Sequence, residues 1–272
     1  MQIRNTAENY YKPTFKHWNR TVKKTNVRGV DSIIHRNDTM TYRDHSWWMW
    51  FGQYINDFFK DSTKVNVYNW ACSDGEESAT FVMQMFSNFP NTAEKFTPVY
   101  AKDYDPVAIK KAKEHVLPLG LFELYDINAY TDEKIDEFLT NVPDYYKQLV
   151  RKSRDALQSY AFRYQDIEPE LTKTVYAKFN KKYAKYIDYE VSDITKDYKK
   201  INPKESLVIM RNFLPYLGKK KTYKLLENLS KQMQEKCVIA IGDFDRDYAI
   251  LDRIKSLGFK WSGEVDGVYY KP

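Results

Sequence analysis

The residues best suited to chemistry form a short loop between an apolar strand pattern and a helical one: Ala71-Cys72-Ser73-Asp74-Gly75-Glu76-Glu77-Ser78. A dinucleotide fingerprint would place three glycines here, and this loop has Gly75 alone. Asp74, Glu76 and Glu77 stand where a helix would begin. Its dipole favours them, but they would repel a pyrophosphate. NAD is therefore disfavoured, and a cationic or hydroxyl-rich ligand suits the loop better. Further on, Lys102-Asp103-Tyr104-Asp105 closes a second strand pattern. An acidic side chain at that place accepts hydrogen bonds from ribose hydroxyls. Asp103 and Asp105 also both suit the N-cap of a helix opened by Pro106. One glycine, an acidic residue after the second strand and no phosphate cradle together suggest S-adenosylmethionine.

The elements that must position these residues alternate. Residues 46–60 carry Trp47, Trp50, Phe51, Tyr54, Ile55 and Phe58 at three- and four-residue spacings, which predicts a helix with a wide aromatic face for the core. Strands are expected over 65–72, 96–105, 205–212, 236–244 and 267–271, with helices over 76–89, 106–117, 220–234 and 247–258. Continuous apolar strands alternating with helices predict an α/β fold, a doubly wound and mostly parallel sheet. The rhythm breaks between Pro118 and Asp193. Helical patterns over 132–139 and 145–157 are expected there, and 174–191 reads as a hairpin turning at Asn180-Lys181. This stretch, about 118–190, is read as a subdomain inserted over the strand ends, where ligands of open α/β sheets bind. The chain thus divides into an N-terminal arm and aromatic helix, 1–60, and a larger domain, 61–272.

Four separated segments resemble one family, the CheR-type methyltransferases, which use S-adenosylmethionine to esterify glutamates of chemotaxis receptors. Asn37-Asp38-Thr39-Met40-Thr41-Tyr42-Arg43-Asp44 resembles its N-x-T-x-F-F-R-[DE] motif, with Thr41 and Tyr42 in place of the two aromatics. The loop at 71–78 resembles C-S-T-G-E-E-P, with Asp74 for Thr and Ser78 for Pro. Residues 101–105 resemble A-[ST]-D-I-D, and 210–217 resemble C-R-N-V-[LM]-I-Y-F, with Pro215 as a departure. The resemblance implies a Rossmann-like class I methyltransferase with a short helical N-terminal segment. It also implies that Asn37, Thr39 and Arg43 contact the cofactor, Arg43 near the methyl-transfer centre. Glu77 would lie at the methionine end, Asp103 at the ribose, Asp193 and Ile194 at the adenine, and Asn212 and Phe213 on the pocket floor. Tyr216 takes the position of the active-site tyrosine, and the product would be S-adenosylhomocysteine. The residues alone also admit Arg43 as an ion pair with Asp44 and Tyr216 as a core tyrosine. Only 36 residues precede Asn37, fewer than the family's helical N-terminal domain needs.

Composition bounds the remainder. The 272 residues carry 43 Lys and Arg against 37 Asp and Glu, a net charge of +6 that is weak for a dedicated nucleic-acid binder. Lysine clusters are expected to be solvated faces, with an acidic protein partner the next reading. No apolar run approaches the ~18–20 residues of a membrane span. The N-terminus shows no apolar leader segment, and a cytoplasmic protein is expected. Cys72 and Cys237 are too few for a disulfide framework or a four-ligand zinc site, and the four histidines lack ligand spacing, so no metal is expected. The preferred acceptor is a protein glutamate carboxylate, with a chemoreceptor as its possible source. A small-molecule or RNA methyltransferase, or a non-catalytic cofactor-binding module, stays open beside it.

Overall fold

Two faces of one sheet explain the strand patterns. In the computed structural model, which describes residues 41, 45–119, 136–145, 147–148 and 175–272, seven strands lie in the order β6-β2-β1-β7-β8-β10-β9. They are β1 (Asn66–Trp70), β2 (Val99–Asp103), β6 (Ile187–Val191), β7 (Ser206–Met210), β8 (Cys237–Ile241), β9 (Lys260–Trp261) and β10 (Val268–Lys271). All neighbours pair in parallel except β10, which runs antiparallel to both β8 and β9. Every residue of β7 and β8 is buried, as expected of strands covered on both sides.

Alternation then sorts the side chains. Val67, Val99, Leu207, Ile209, Val238 and Ala240 face a core completed by α1 (His45–Phe58), α2 (Glu76–Asn88) and α3 (Pro106–Ala112). Tyr68, Trp70, Val208, Met210, Ile239 and Ile241 face the opposite core. There they meet Leu225, Leu226 and Leu229 of α7 (Lys219–Gln232) and Ile250 and Ile254 of α8 (Tyr248–Ser256). Each such buried leucine contributes about 1.5–3 kcal/mol by leaving water. Strand order reverses between β1 and β7, so the carboxyl ends of these two strands flank the crevice of a doubly wound sheet.

Some expectations need correcting. On α1 the buried face is Trp48, Phe51, Tyr54 and Ile55, while Trp50 is 67% exposed. Trp50 points outside the arc that 48, 51, 55 and 47, 54, 58 cover on a 3.6-residue helix, about 40° beyond Tyr54. The helix expected to run to 117 ends at Ala112, and the chain turns at His115 (φ 55) into β3 (Val116–Leu119). Helix expected through 139 gives way to β4 (Leu139–Thr140). The hairpin does not form. Its first arm, β5 (Val175–Phe179), pairs antiparallel with β3 and β4 in a separate three-stranded sheet, whereas β6 joins β2 in the main sheet. Asn180 is not a turn residue: its side chain accepts from the Lys182 N–H and caps the short α4 (Lys181–Ala184). Residues 1–36 and most of 145–157 lie outside the described residues.

Candidate functional site

The β1–α2 loop is built from backbone that few residues tolerate. Ala71, Ser73 and Gly75 have φ of 56°, 53° and 97°. A Cβ on Gly75 would also stand 2.6 Å from the Tyr189 hydroxyl, so both conformation and space demand glycine. The Ser73 N–H donates to Asp103 Oδ2 at 2.9 Å, and the Asp105 N–H to Asp103 Oδ1 at 2.8 Å. Asp103 thus ties this loop to the end of β2. The open choice between the two aspartates is settled: Asp105 is the N-cap of α3, accepting from the Val107 N–H at 2.8 Å. Cys72 is buried, and burial pushes its thiol well above the ordinary value, reinforced by the carboxylates of Asp103, Glu76 and Glu77. It is a packing residue.

Across the crevice, Arg211 follows β7. Its guanidinium lies 3.3 Å from Glu77 Oε2, while Asn69 Nδ2 donates to Glu77 Oε1 at 2.8 Å. Ser78, where the family has proline, donates to Asn69 Oδ1 at 2.5 Å and holds that amide in place. Asn212 takes φ 61°, and its Oδ1 accepts from the Phe244 N–H at 3.1 Å. Phe213 is buried, and Pro215 sits in the first turn of α6 (Leu214–Leu217), where a missing N–H costs nothing. Tyr216 on that helix is 53% exposed, which excludes the core-tyrosine reading.

Sequence reasoning missed Asp245. It is fully buried and accepts from the N–H groups of Gly242 (2.9 Å), Asn212 (2.5 Å) and Leu214 (2.9 Å). One side chain therefore fastens the loop after β8 to the loop after β7 that carries Asn212 and Phe213. Burial pushes its carboxyl up to about 6 against the pull of those three N–H groups, and Glu77 adds to the rise. The only sequence signal was an aspartate three residues after Gly242 at a strand end.

At the far side of the crevice, Asp193 follows β6 and caps α5 (Ile194–Asp197), accepting from the Thr195 N–H (3.1 Å) and hydroxyl (2.6 Å) and pairing with Lys196 (2.8 Å). Burial would raise its pKa, but these bonds outweigh it and hold the carboxyl below its ordinary value. Ile194 beside it is buried. Buried Lys102 bridges Glu190 (2.9 Å) and Asp197 (3.0 Å), locking β2, β6 and α5 together. The strand ends thus bring Glu77, Asp103, Asp193, Ile194, Asn212 and Phe213 to one edge of the sheet. Asn37, Thr39 and Arg43 lie outside the described residues. Among the described residues, no helix is long and apolar enough to cross a membrane.

A mostly parallel seven-stranded sheet with this reversal, carrying acidic and amide groups at the strand ends, is the fold of a class I S-adenosylmethionine-dependent methyltransferase. The chain belongs to the CheR methyltransferase family: the family model for the CheR methyltransferase SAM-binding domain matches residues 37–175, just over half of its length. Among curated proteins, none matches the chain significantly. Among solved structures, a S-adenosylmethionine-dependent methyltransferase from Clostridium acetobutylicum ATCC 824 is similar at 13% identity and TM-score 0.33, over 73% of this chain and 50% of that one. A TehB-like SAM-dependent methyltransferase from Corynebacterium glutamicum ATCC 13032 is similar at 10% identity and TM-score 0.36, over 80% and 88% of the two chains. Magnesium protoporphyrin IX methyltransferase from Synechocystis PCC 6803, solved with bound SAM, is similar at 10% identity and TM-score 0.38, over 85% and 76%.

S-adenosylmethionine is the cofactor, and the donor set fits it. Carboxylates of Glu77 and Asp103 flank the crevice, suited to an ammonium and to ribose hydroxyls and unsuited to a pyrophosphate.

Proposed function

We propose that this methyltransferase esterifies glutamate side chains of a protein acceptor, with Arg43 and Tyr216 serving the acceptor. When bound, the cofactor supplies a methyl group activated by a sulfonium. A glutamate carboxylate is already ionised at neutral pH and needs no strong general base. The protein's share is alignment and exclusion of water. Tyr216 carries this reading: it is exposed at the carboxyl end of β7, on the helix directly after Asn212 and Phe213, at the position of the family's active-site tyrosine. Its hydroxyl donates to one acceptor oxygen, and the Arg43 guanidinium neutralises the incoming carboxylate. Asn37, Thr39, Glu77, Asp103, Asp193, Ile194, Asn212 and Phe213 surround the cofactor. An acidic protein acceptor is supported by exposed lysines in this region: Lys178 on β5 and Lys181, Lys182 and Lys185 on α4 and its C-cap.

The test is calorimetric titration with S-adenosylhomocysteine on wild type and on Asp103→Ala, followed by tritiated-methyl transfer to glutamate-containing acceptor proteins. Asp103→Ala is expected to weaken binding by about 1–3 kcal/mol, the worth of a hydrogen bond to a charged group. Absence of binding to wild type at millimolar ligand refutes the methyltransferase reading. Binding without base-labile methyl ester on any protein refutes the glutamate acceptor.

A further inference from the structure

Arg211 is enclosed to a degree that a surface ion pair is not. Its side chain is 3% exposed, while Glu77, its partner at 3.3 Å, is 16% exposed. The guanidinium carbon lies 4.2 Å from the centre of the Trp47 ring and 5.3 Å from that of Trp48. Trp47 is itself anchored, its indole N–H donating to the Asp266 carbonyl at 2.7 Å. The cation is therefore held between two indoles of α1 and a carboxylate of α2. Asn69 fixes the other oxygen of that carboxylate from within β1. Glu77 consequently cannot rotate without breaking a bond on either oxygen.

We infer that Arg211 is a positioning residue for the amino-acid end of the cofactor, acting through Glu77. This rests on the cofactor site proposed above. Held by Arg211 on one oxygen and Asn69 on the other, the Glu77 carboxylate keeps one orientation. The ligand ammonium then meets a preformed acceptor rather than a flexible side chain. A planar guanidinium serves here where an ammonium would not, because an N–H on its edge reaches the carboxylate while its carbon lies over the Trp47 ring. The same contacts seat α1, whose first residue follows Arg43 by two positions in the sequence.

The discriminating test uses two ligands that differ only at that end. S-adenosylhomocysteine carries the amino-acid group, and 5′-methylthioadenosine ends in a methyl. Full-length wild type, Arg211→Gln and Arg211→Lys are titrated with each by calorimetry, with melting curves recorded alongside. Arg211→Gln is expected to lose about 10- to 100-fold in affinity for S-adenosylhomocysteine, the equivalent of one charge-assisted hydrogen bond, with methylthioadenosine affinity within about two-fold. Arg211→Lys keeps the charge without the fork and should show a smaller loss, again confined to S-adenosylhomocysteine. If Arg211→Gln does not fold, the lysine variant decides alone. Equal losses for both ligands, or an unchanged S-adenosylhomocysteine affinity in a folded variant, overturn the assignment. Failure of wild type to bind either ligand instead overturns the cofactor site on which it rests.

Discussion

Replacing Asp245 by asparagine should produce a pH dependence opposite to that of an ion-paired carboxylate such as Asp197. The side chain takes three backbone N–H groups with its two oxygens. Asparagine keeps one acceptor oxygen and turns an amide toward the remaining N–H. If the oxygen stays with Gly242 and Asn212, the Leu214 N–H is left against another donor, a cost of about 1–3 kcal/mol. Against this stands the ionisation of the wild-type residue. Its folded pKa is raised to about 6 from an ordinary 3.8. The folded state therefore holds this proton more tightly than the unfolded chain. The associated stability is complete below the unfolded pKa and is lost as pH rises through the folded one. A rise of roughly two units corresponds to about 3 kcal/mol, to order of magnitude. The asparagine side chain cannot ionise and escapes that loss. The Asp245→Asn variant should thus be destabilised by about 1–3 kcal/mol near pH 4.5, and should equal or exceed wild type near pH 7.5. Urea unfolding of both proteins at four pH values between these limits measures the difference, since every other titrating group cancels. A penalty as large at pH 7.5 as at pH 4.5 would refute the reasoning. It would mean that three N–H groups outweigh burial and that Asp245 is an ordinary ionised carboxylate.

Other outcomes follow from the same geometry. Gly75→Ala should lower stability by about 1–3 kcal/mol from the positive φ alone, and pairing it with Tyr189→Phe, which removes the atom 2.6 Å from the new Cβ, should recover part of the loss in urea unfolding. No recovery would mean that strain rather than crowding sets the requirement. Lys102→Met should cost about 2–4 kcal/mol, less than a fully sealed pair, because Glu190 is half exposed and Lys200 still pairs with Asp197 at 3.2 Å. Burial works to raise the Asp197 pKa, but its bonds to Ser192, Lys102 and Lys200 depress it. Its contribution is present above the ordinary carboxylate pKa and lost as pH falls through the lower folded value, which acid titration of wild type against Lys102→Met will show. Tyr216→Phe should slow methyl transfer by about 10- to 100-fold, the worth of one hydrogen bond to a charged group, and leave S-adenosylhomocysteine affinity within about two-fold. A matching loss of affinity would place the hydroxyl on the cofactor instead.

The central strands were legible because their burial on both faces leaves uninterrupted apolar runs such as Leu207-Val208-Ile209-Met210 and Val238-Ile239-Ala240-Ile241. What the chain does not disclose is partnership. Residues 175–179 and 187–191 each alternate as strands should, yet one pairs with β3 and β4 and the other with β2, because the intervening Asn180 caps a helix instead of turning a hairpin. Trp48 and Trp50 are two residues apart on α1, and only the fold reveals which one is buried.

The same limit applies with more consequence to the acidic residues at the strand ends. Read along the chain, Asp103, Asp105, Asp193 and Asp245 are equivalent carboxylates, each near the end of a strand. The structure separates them by what each already binds. Asp105 and Asp193 are committed to helix caps, and Asp245 is committed to three N–H groups inside the protein. Asp103 also accepts backbone N–H groups, but at the mouth of the crevice and with only partial burial. Glu77 is gripped by Arg211, a partner 134 residues away that no local pattern could assign. Caps and internal clamps are thus told apart from the acids beside the crevice only by long-range contacts, which no local spacing discloses.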